Sequence, residues 1–281
     1  MRKVMFKKIS IIGVGLIGGS IGLAVKRSKL AHEVTGSTSC KATLTKAIKR
    51  KAIDKGSLDL GECVKDADLV ILAVPVAEMK NILTLITTHL KPDCIVMDIA
   101  STKGEIVSIA EKILPKGIFF VGTHPMAGSE NRGVDFAAAN LFNDSVSIVT
   151  PTARTNKKCL NKVSQFWRKL GARVFSLSPK KHDEVVASVS HLPHAIAVSL
   201  MNVVSRPELK FAAGGFKDVT RISKSSEMIW KGIFASNSKE IVKKIDIFIK
   251  ELGDFKKALE KLDKNKIKLK LNQARKKRGQ I

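Results

Sequence analysis

The segment Gly122-Thr123-His124-Pro125-Met126-Ala127-Gly128-Ser129-Glu130 gathers a histidine, a serine and a glutamate into a stretch rich in glycine and proline. It follows Ile118–Val121, an apolar run that reads as a buried strand. A turn at a strand end carries chemistry well, because a rigid sheet aims its side chains. A histidine there can accept a proton near neutral pH. A second candidate lies far upstream, where Gly13-Val14-Gly15-Leu16-Ile17-Gly18 spells GxGxxG between a strand-like run and a helical pattern. In that context the first glycine permits a tight turn, the second lets backbone approach a pyrophosphate, and the third lets helix and strand pack closely. Gly13, Gly15, Leu16, Ile17 and Gly18 are therefore the candidate dinucleotide residues, with the pyrophosphate at the helix N-terminus.

The choice of dinucleotide turns on the end of the next strand, where an acid would hold the ribose 2′-hydroxyl of NAD. The chain reads Val34-Thr35-Gly36-Ser37-Thr38-Ser39-Cys40-Lys41 and offers no acid. Thr38, Ser39 and Lys41 suit a 2′-phosphate instead, so NADP is the preferred cofactor and NAD the alternative. The same residues could simply cap the following helix.

Three further polar clusters stand out. Asp98-Ile99-Ala100-Ser101-Thr102-Lys103-Gly104-Glu105 follows another strand. Thr102 and Glu105 have the spacing of a capping box, and the carboxyl edge of a parallel sheet is also where ligands bind. Ser190-His191-Leu192-Pro193-His194 sets two histidines around an expected helix break, at a spacing unsuited to a helical metal pair. Gly214-Gly215-Phe216-Lys217-Asp218-Val219-Thr220-Arg221 reads as a flexible turn whose arginine can clamp a carboxylate or pair with Asp218.

These residues need a frame. Strands are expected at Lys8–Ile12, His32–Ser37, Asp68–Val74, Cys94–Ile99, Ile118–Val121, Ser145–Val149 and Ala172–Leu177. Helices are expected at Leu16–Lys29, Ala42–Arg50, from Pro75 to about Thr88, Gly104–Leu114 and Lys157–Leu170. Apolar strands alternating with amphipathic helices indicate a Rossmann-type α/β fold, a doubly wound parallel sheet covered on both faces. Beyond Pro179 the periodicity is helical throughout, in His182–Val204, Ser225–Ser236 and Lys239–Asn272. The division is thus a dinucleotide-binding domain over 1–178 and an all-α domain over 179–281.

Composition narrows the partners. The four cysteines are scattered without a CxxC pair, which argues against zinc and disulfides and for a reducing cytoplasm. The basic start and the apolar stretch Ile9–Val25 imitate a signal peptide, but five glycines in that stretch suit strand, turn and helix better. No other run reaches membrane-spanning length, so no membrane is expected. A net charge of +25 favours anionic ligands. The densest basic stretch, residues 261–281, carries nine Lys or Arg without interleaved aromatics. It reads as a solvated helical face more readily than as a nucleic-acid arm.

Six ordered segments together resemble the prephenate/arogenate (cyclohexadienyl) dehydrogenase family of tyrosine biosynthesis. They are GVGLIGGS at 13–20, DLVILAVP at 68–75, DIASTKGEI at 98–106, GTHPMAGSE at 122–130, SHLPHA at 190–195 and GGFKDVTRI at 214–222. The resemblance implies a helical dimerisation domain, a homodimer, and oxidative decarboxylation of prephenate or arogenate with NAD(P). It implies that His124 accepts the 4-hydroxyl proton and that Ser101 bonds His124 and the substrate or nicotinamide. Arg221 would bind the substrate carboxylate, with Ser129, Glu130, Asp218, His191 and His194 on the substrate side and Val74 and Pro75 beside the cofactor. Two other classes fit part of the pattern: a β-hydroxyacid or cyclic-imine oxidoreductase of similar layout shares GxGxxG and the helical domain, and a basic nucleic-acid-binding protein shares the charge of +25.

Overall fold

The structure, a computed structural model, describes residues 4–128 and 131–280. Its first part runs β1 (Phe6–Ile12), α1 (Leu16–Arg27), β2 (Ala31–Ser37), α2 (Lys41–Lys49), β3 (Lys55–Ser57), α3 (Leu60–Val64), β4 (Leu69–Leu72), α4 (Val76–Ile86), β5 (Ile95–Asp98), α5 (Gly104–Ile113), β6 (Phe119–Met126), β7 (Val146–Thr150), α6 (Lys157–Lys169) and β8 (Arg173–Ser176). The strands form one sheet in the order β3-β2-β1-β4-β5-β6-β7-β8. The order reverses between β1 and β4. In open α/β sheets such a switch leaves a crevice at the carboxyl ends of the strands, where ligands bind.

Alternation along the strands feeds two cores. Ile11, Ile71, Met97 and Val121 face a layer that includes Ile21, Val25, Phe166 and Trp167. Ile12, Val70, Leu72 and Val96 face Ile82, Leu83, Ile106 and Val107 on the opposite side. Both faces are therefore dry, which is why the central strands are apolar throughout rather than alternating.

The all-parallel expectation holds from β3 to β6 and fails at β7, which pairs antiparallel to β6 with His124 opposite Ile148 and Pro125 opposite Ser147. Strand β6 also runs further than Ile118–Val121. Its parallel partner β5 ends where Asp98 meets Gly122. Pro125 thus lies where β6 has a ladder partner on one side only, an edge position that a residue without an N–H tolerates. His124 sits in a strand that projects past the sheet edge, not in a turn.

The remainder is helical: α7 (Pro179–Val186), a π turn (Ala187–His191), α8 (Leu192–Val203), α9 (Gly214–Thr220), a 3₁₀ turn (Arg221–Lys224), α10 (Glu227–Ser236), α11 (Ser238–Glu260) and α12 (Lys264–Arg278). The expected break near Pro193 is absent. In an α-helix the missing Pro193 N–H would orphan a carbonyl four residues back, and the wider π turn just before it absorbs that mismatch. Pro179–Val203 is long and apolar enough by length and composition to cross a membrane. Here its inward face buries His182, His191 and His194. The glycine pair at Gly214-Gly215 opens helix α9 rather than a flexible turn. The single helix expected over Lys239–Asn272 is two, because Leu262 adopts φ 49° and Asp263 caps α12 by accepting from the Lys266 amide at 2.9 Å.

Candidate active site

The glycine turn occupies the switch point. Gly13 has φ +94°, and a Cβ there would collide with the Ala73 carbonyl after β4. At Gly18 a Cβ would strike the Gly13 carbonyl oxygen. Space around Gly15 is open, and Gly15 begins α1 with no capping side chain. The first amides of α1 are thus left to an external acceptor, which fits the pyrophosphate of a dinucleotide. Leu16 and Ile17 form the first turn of α1, Val74 touches the space beside Gly13, and Pro75 begins α4. Thr38 and Ser39 follow β2, and exposed Lys41 opens α2. Neither serine nor threonine caps that helix, because its N-cap is Cys40 without a side-chain bond.

The buried polar centre is built around His124. Its Nδ1 lies 2.8 Å from His182 Nε2, and His182 Nδ1 lies 2.8 Å from Asp183 Oδ1. A carboxylate only accepts hydrogen bonds, so His182 carries its proton on Nδ1 and presents a lone pair at Nε2. His124 must then donate from Nδ1, and its own Nε2 is left with a lone pair. The Asp183–His182–His124 chain therefore fixes the tautomer that accepts a proton from a ligand. Burial drives His124 well below the ordinary imidazole value, with His182, Lys103 and His191 pushing the same way. Burial also lowers His182, although its bond to Asp183 opposes this. Asp183 is held below the usual carboxylate value. Burial pushes it up, but the bond to His182 and two backbone amides outweigh that.

Those amides belong to Lys103 and Gly104, which donate to Asp183 at 2.8 Å each. Asp183 therefore caps α5 from across the chain. The expected capping box from Thr102 to Glu105 does not form; Thr102 Oγ1 instead meets Ser236 Oγ at 3.0 Å. His182 and Asp183 stand within the charged run Lys180-Lys181-His182-Asp183-Glu184, where nothing in the sequence sets them apart from a solvated helix face, and neither is among the functional candidates read from the sequence. Ser101 lies half-buried in the β5–α5 loop. Among the described residues the Nδ1 partner of His124 is His182, not Ser101.

The other two histidines border this chain. His191 Nδ1 is 3.2 Å from Asn237 Nδ2, which also donates to the Asp183 carbonyl at 2.9 Å. His194 stacks on Trp230 with ring centroids 3.4 Å apart. Burial pulls both histidines down to about 4. Among the described residues, His191 Nε2 and His194 Nδ1 are buried without a hydrogen-bond partner. Asp218 on α9 and Arg221 just after it are exposed, outside this buried cluster. Ser129 and Glu130 lie outside the described residues. Gly128 does lie against Ile17, a Cβ there coming 3.7 Å from its Cδ1, so the chain leaving β6 passes the dinucleotide turn.

A dinucleotide turn at a topological switch point, in one sheet with a neutral histidine fixed as a proton acceptor, defines a two-domain NAD(P)-dependent oxidoreductase. Within that class the chain belongs to the prephenate dehydrogenase family. Residues 21–176 match the family's nucleotide-binding domain and 178–273 its dimerization domain. It is 35% identical over 269 residues to the cyclohexadienyl dehydrogenase of Zymomonas mobilis, covering 92% of this chain and 90% of that one. The solved prephenate dehydrogenase of Aquifex aeolicus, in complex with hydroxyphenyl propionate and NAD+, superposes with a TM-score of 0.92 at 35% identity, covering 98% of each chain. Synechocystis arogenate dehydrogenase superposes with a TM-score of 0.83 at 26% identity, covering 97% of this chain and 99% of that one.

Proposed function

We propose that this protein catalyses the NAD(P)-dependent oxidative decarboxylation of a cyclohexadienol, prephenate or arogenate, to 4-hydroxyphenylpyruvate or tyrosine. The observation that carries this reading is the Asp183–His182–His124 chain, which leaves a lone pair on His124 Nε2. His124 takes the 4-hydroxyl proton at that atom, and His182 and Asp183 hold its ring in the accepting tautomer. When bound, the nicotinamide accepts the hydride from the carbinol carbon. Loss of the ring carboxylate as carbon dioxide makes the ring aromatic, so the protein has mainly to orient the substrate and take up a proton. Arg221 binds a substrate carboxylate, and Asp218, Ser129 and Glu130 support that end. His191 and His194 lie on the substrate side, a reading supported by ring nitrogens without a partner among the described residues, and Ser101 contacts substrate or nicotinamide.

NADP is the preferred cofactor, supported by Thr38, Ser39 and Lys41 standing where an acid would select NAD. The molecule works as a cytoplasmic homodimer joined through its helical part. Val203, Phe211 and Met228 there are 81%, 77% and 73% exposed, apolar side chains that a second copy would cover.

An assay of prephenate and arogenate against NAD and NADP, following cofactor reduction, tests this directly. Turnover of at least one cyclohexadienol is expected, and none with either would refute the assignment. His124→Asn is expected to lower kcat roughly 100-fold or more, with dinucleotide affinity little changed. Arg221→Ala is expected to act mainly on KM.

A further inference from the structure

Behind the histidine chain lies a charge that the proton transfer itself does not use. Lys103 and Asp98 form an ion pair with both side chains fully buried. Such pairs lose so much hydration that they are weak evidence for stability, and a specific task is the better explanation for keeping one. Asp98 Oδ2 receives both the Lys103 ammonium and the Ala100 amide, the latter at 2.9 Å. Asp98 Oδ1 receives the amide of Thr123, next to His124, at 3.2 Å. The Lys103 amide is held in turn by Asp183. Lys103 thus joins Asp98, which holds the amide next to His124, to Asp183, which holds His182.

We propose that Lys103 is a positioning residue whose buried ammonium keeps an extra proton off the His182–His124 pair, leaving His124 free to accept one from substrate. An aspartate bonded to a histidine ordinarily raises the affinity of the ring for a proton. Asp183 on α7 and Asp98 on β5 both act in that sense on His182, while Lys103 at the start of α5 opposes them. His191 on the π turn adds to the opposition at His124. Without Lys103, two buried carboxylates would face the pair with no cation between them.

The inference rests on His124 being the proton acceptor. Two measurements on the full-length protein test it: the acid limb of kcat/KM, and histidine ring-carbon NMR titration without ligands. Lys103→Met is expected to move both midpoints up by about one pH unit. Lys103→Arg, which keeps the charge, should leave them in place, and Asp98→Asn/Lys103→Met, which leaves no net charge, should restore them. A merely structural role would lower activity without displacing the midpoints. Unmoved midpoints in Lys103→Met overturn the proposal, as do displaced ones in Lys103→Arg or the double variant, which also serve if Lys103→Met does not fold. Near-normal turnover in His124→Asn would instead remove the catalytic reading, and the NMR midpoints would still report on Lys103.

Discussion

Replacing Asp183 by asparagine probes the site more sharply than replacing His124 itself. The carboxylate accepts three hydrogen bonds: His182 Nδ1 and the Lys103 amide on Oδ1, and the Gly104 amide on Oδ2. An asparagine has one accepting oxygen and an NH2 that can only donate. With its oxygen in the Oδ1 position, the NH2 opposes the Gly104 amide and one charge-assisted bond is lost, a cost of about 1.5–3 kcal/mol. With the oxygen in the Oδ2 position, the NH2 opposes the Lys103 amide, a loss of the same size, and donates to His182 Nδ1. His182 must then carry its proton on Nε2, His124 accepts at Nδ1, and the proton on His124 moves to Nε2, where the substrate hydroxyl needs an acceptor. In the Ser-His-Asp triad the equivalent exchange costs about 10⁴ in kcat with the geometry intact. In the orientation that switches the tautomer, Asp183→Asn is expected to lower kcat by about 10²–10⁴ while dinucleotide affinity stays within roughly threefold, since the carboxylate bonds His182 and the α5 amides and not the glycine turn. Steady-state kinetics at saturating substrate, with cofactor binding by fluorescence, give both numbers. A folded variant in which nitrogen NMR places the His182 proton on Nε2, yet kcat stays within about threefold of the parent, would refute the tautomer argument.

Two more perturbations follow from the same geometry. Gly18→Ala places a methyl against the Gly13 carbonyl. It should cost about 1–3 kcal/mol by overpacking and weaken dinucleotide binding at least about tenfold, read by thermal melting and titration; an unchanged Tm would mean that the turn is more yielding than it looks. Acid stability follows from His191 and His194, which burial holds at about 4 in the fold, against about 6.5 in the unfolded chain. Between these values the unfolded chain binds protons that the folded one refuses. Stability is therefore intact above about pH 6.5 and falls towards pH 4, by up to about 1.4 kcal/mol per pH unit per histidine. Urea midpoints that hold or rise from pH 7 to pH 5 would contradict burial of the neutral rings.

Much of this molecule can be read from local pattern. The central strands are apolar runs stopped by glycine or proline, and the dinucleotide turn is a contiguous motif whose glycines meet named backbone atoms. Pattern fails where partners are distant in the chain. β3 is three residues, Lys55–Ser57, and exists only because β2 offers it an edge. β6 reaches past His124 because β7 pairs with it, although Gly-Thr-His-Pro has the composition of a turn. The capping of α5 looked local, from Thr102, and comes instead from Asp183, 79 residues beyond Gly104. His182 and Asp183 escaped notice for the same reason: their significance lies in what stands opposite them, which no spacing within α7 encodes.

That long-range cap limits how this molecule can be rebuilt by recombination. A chimera that joins the sheet of one relative to the helices of another would preserve each part's core. It would still have to seat Asp183 on the two amides that open α5, with His182 in reach of His124. A small rotation at the seam would unfold nothing, yet would leave a carboxylate short of donors and a histidine in the wrong tautomer. Such hybrids should express and melt normally while failing to turn over, and drift between natural relatives should be constrained at this seam more than at the exposed ends of either part.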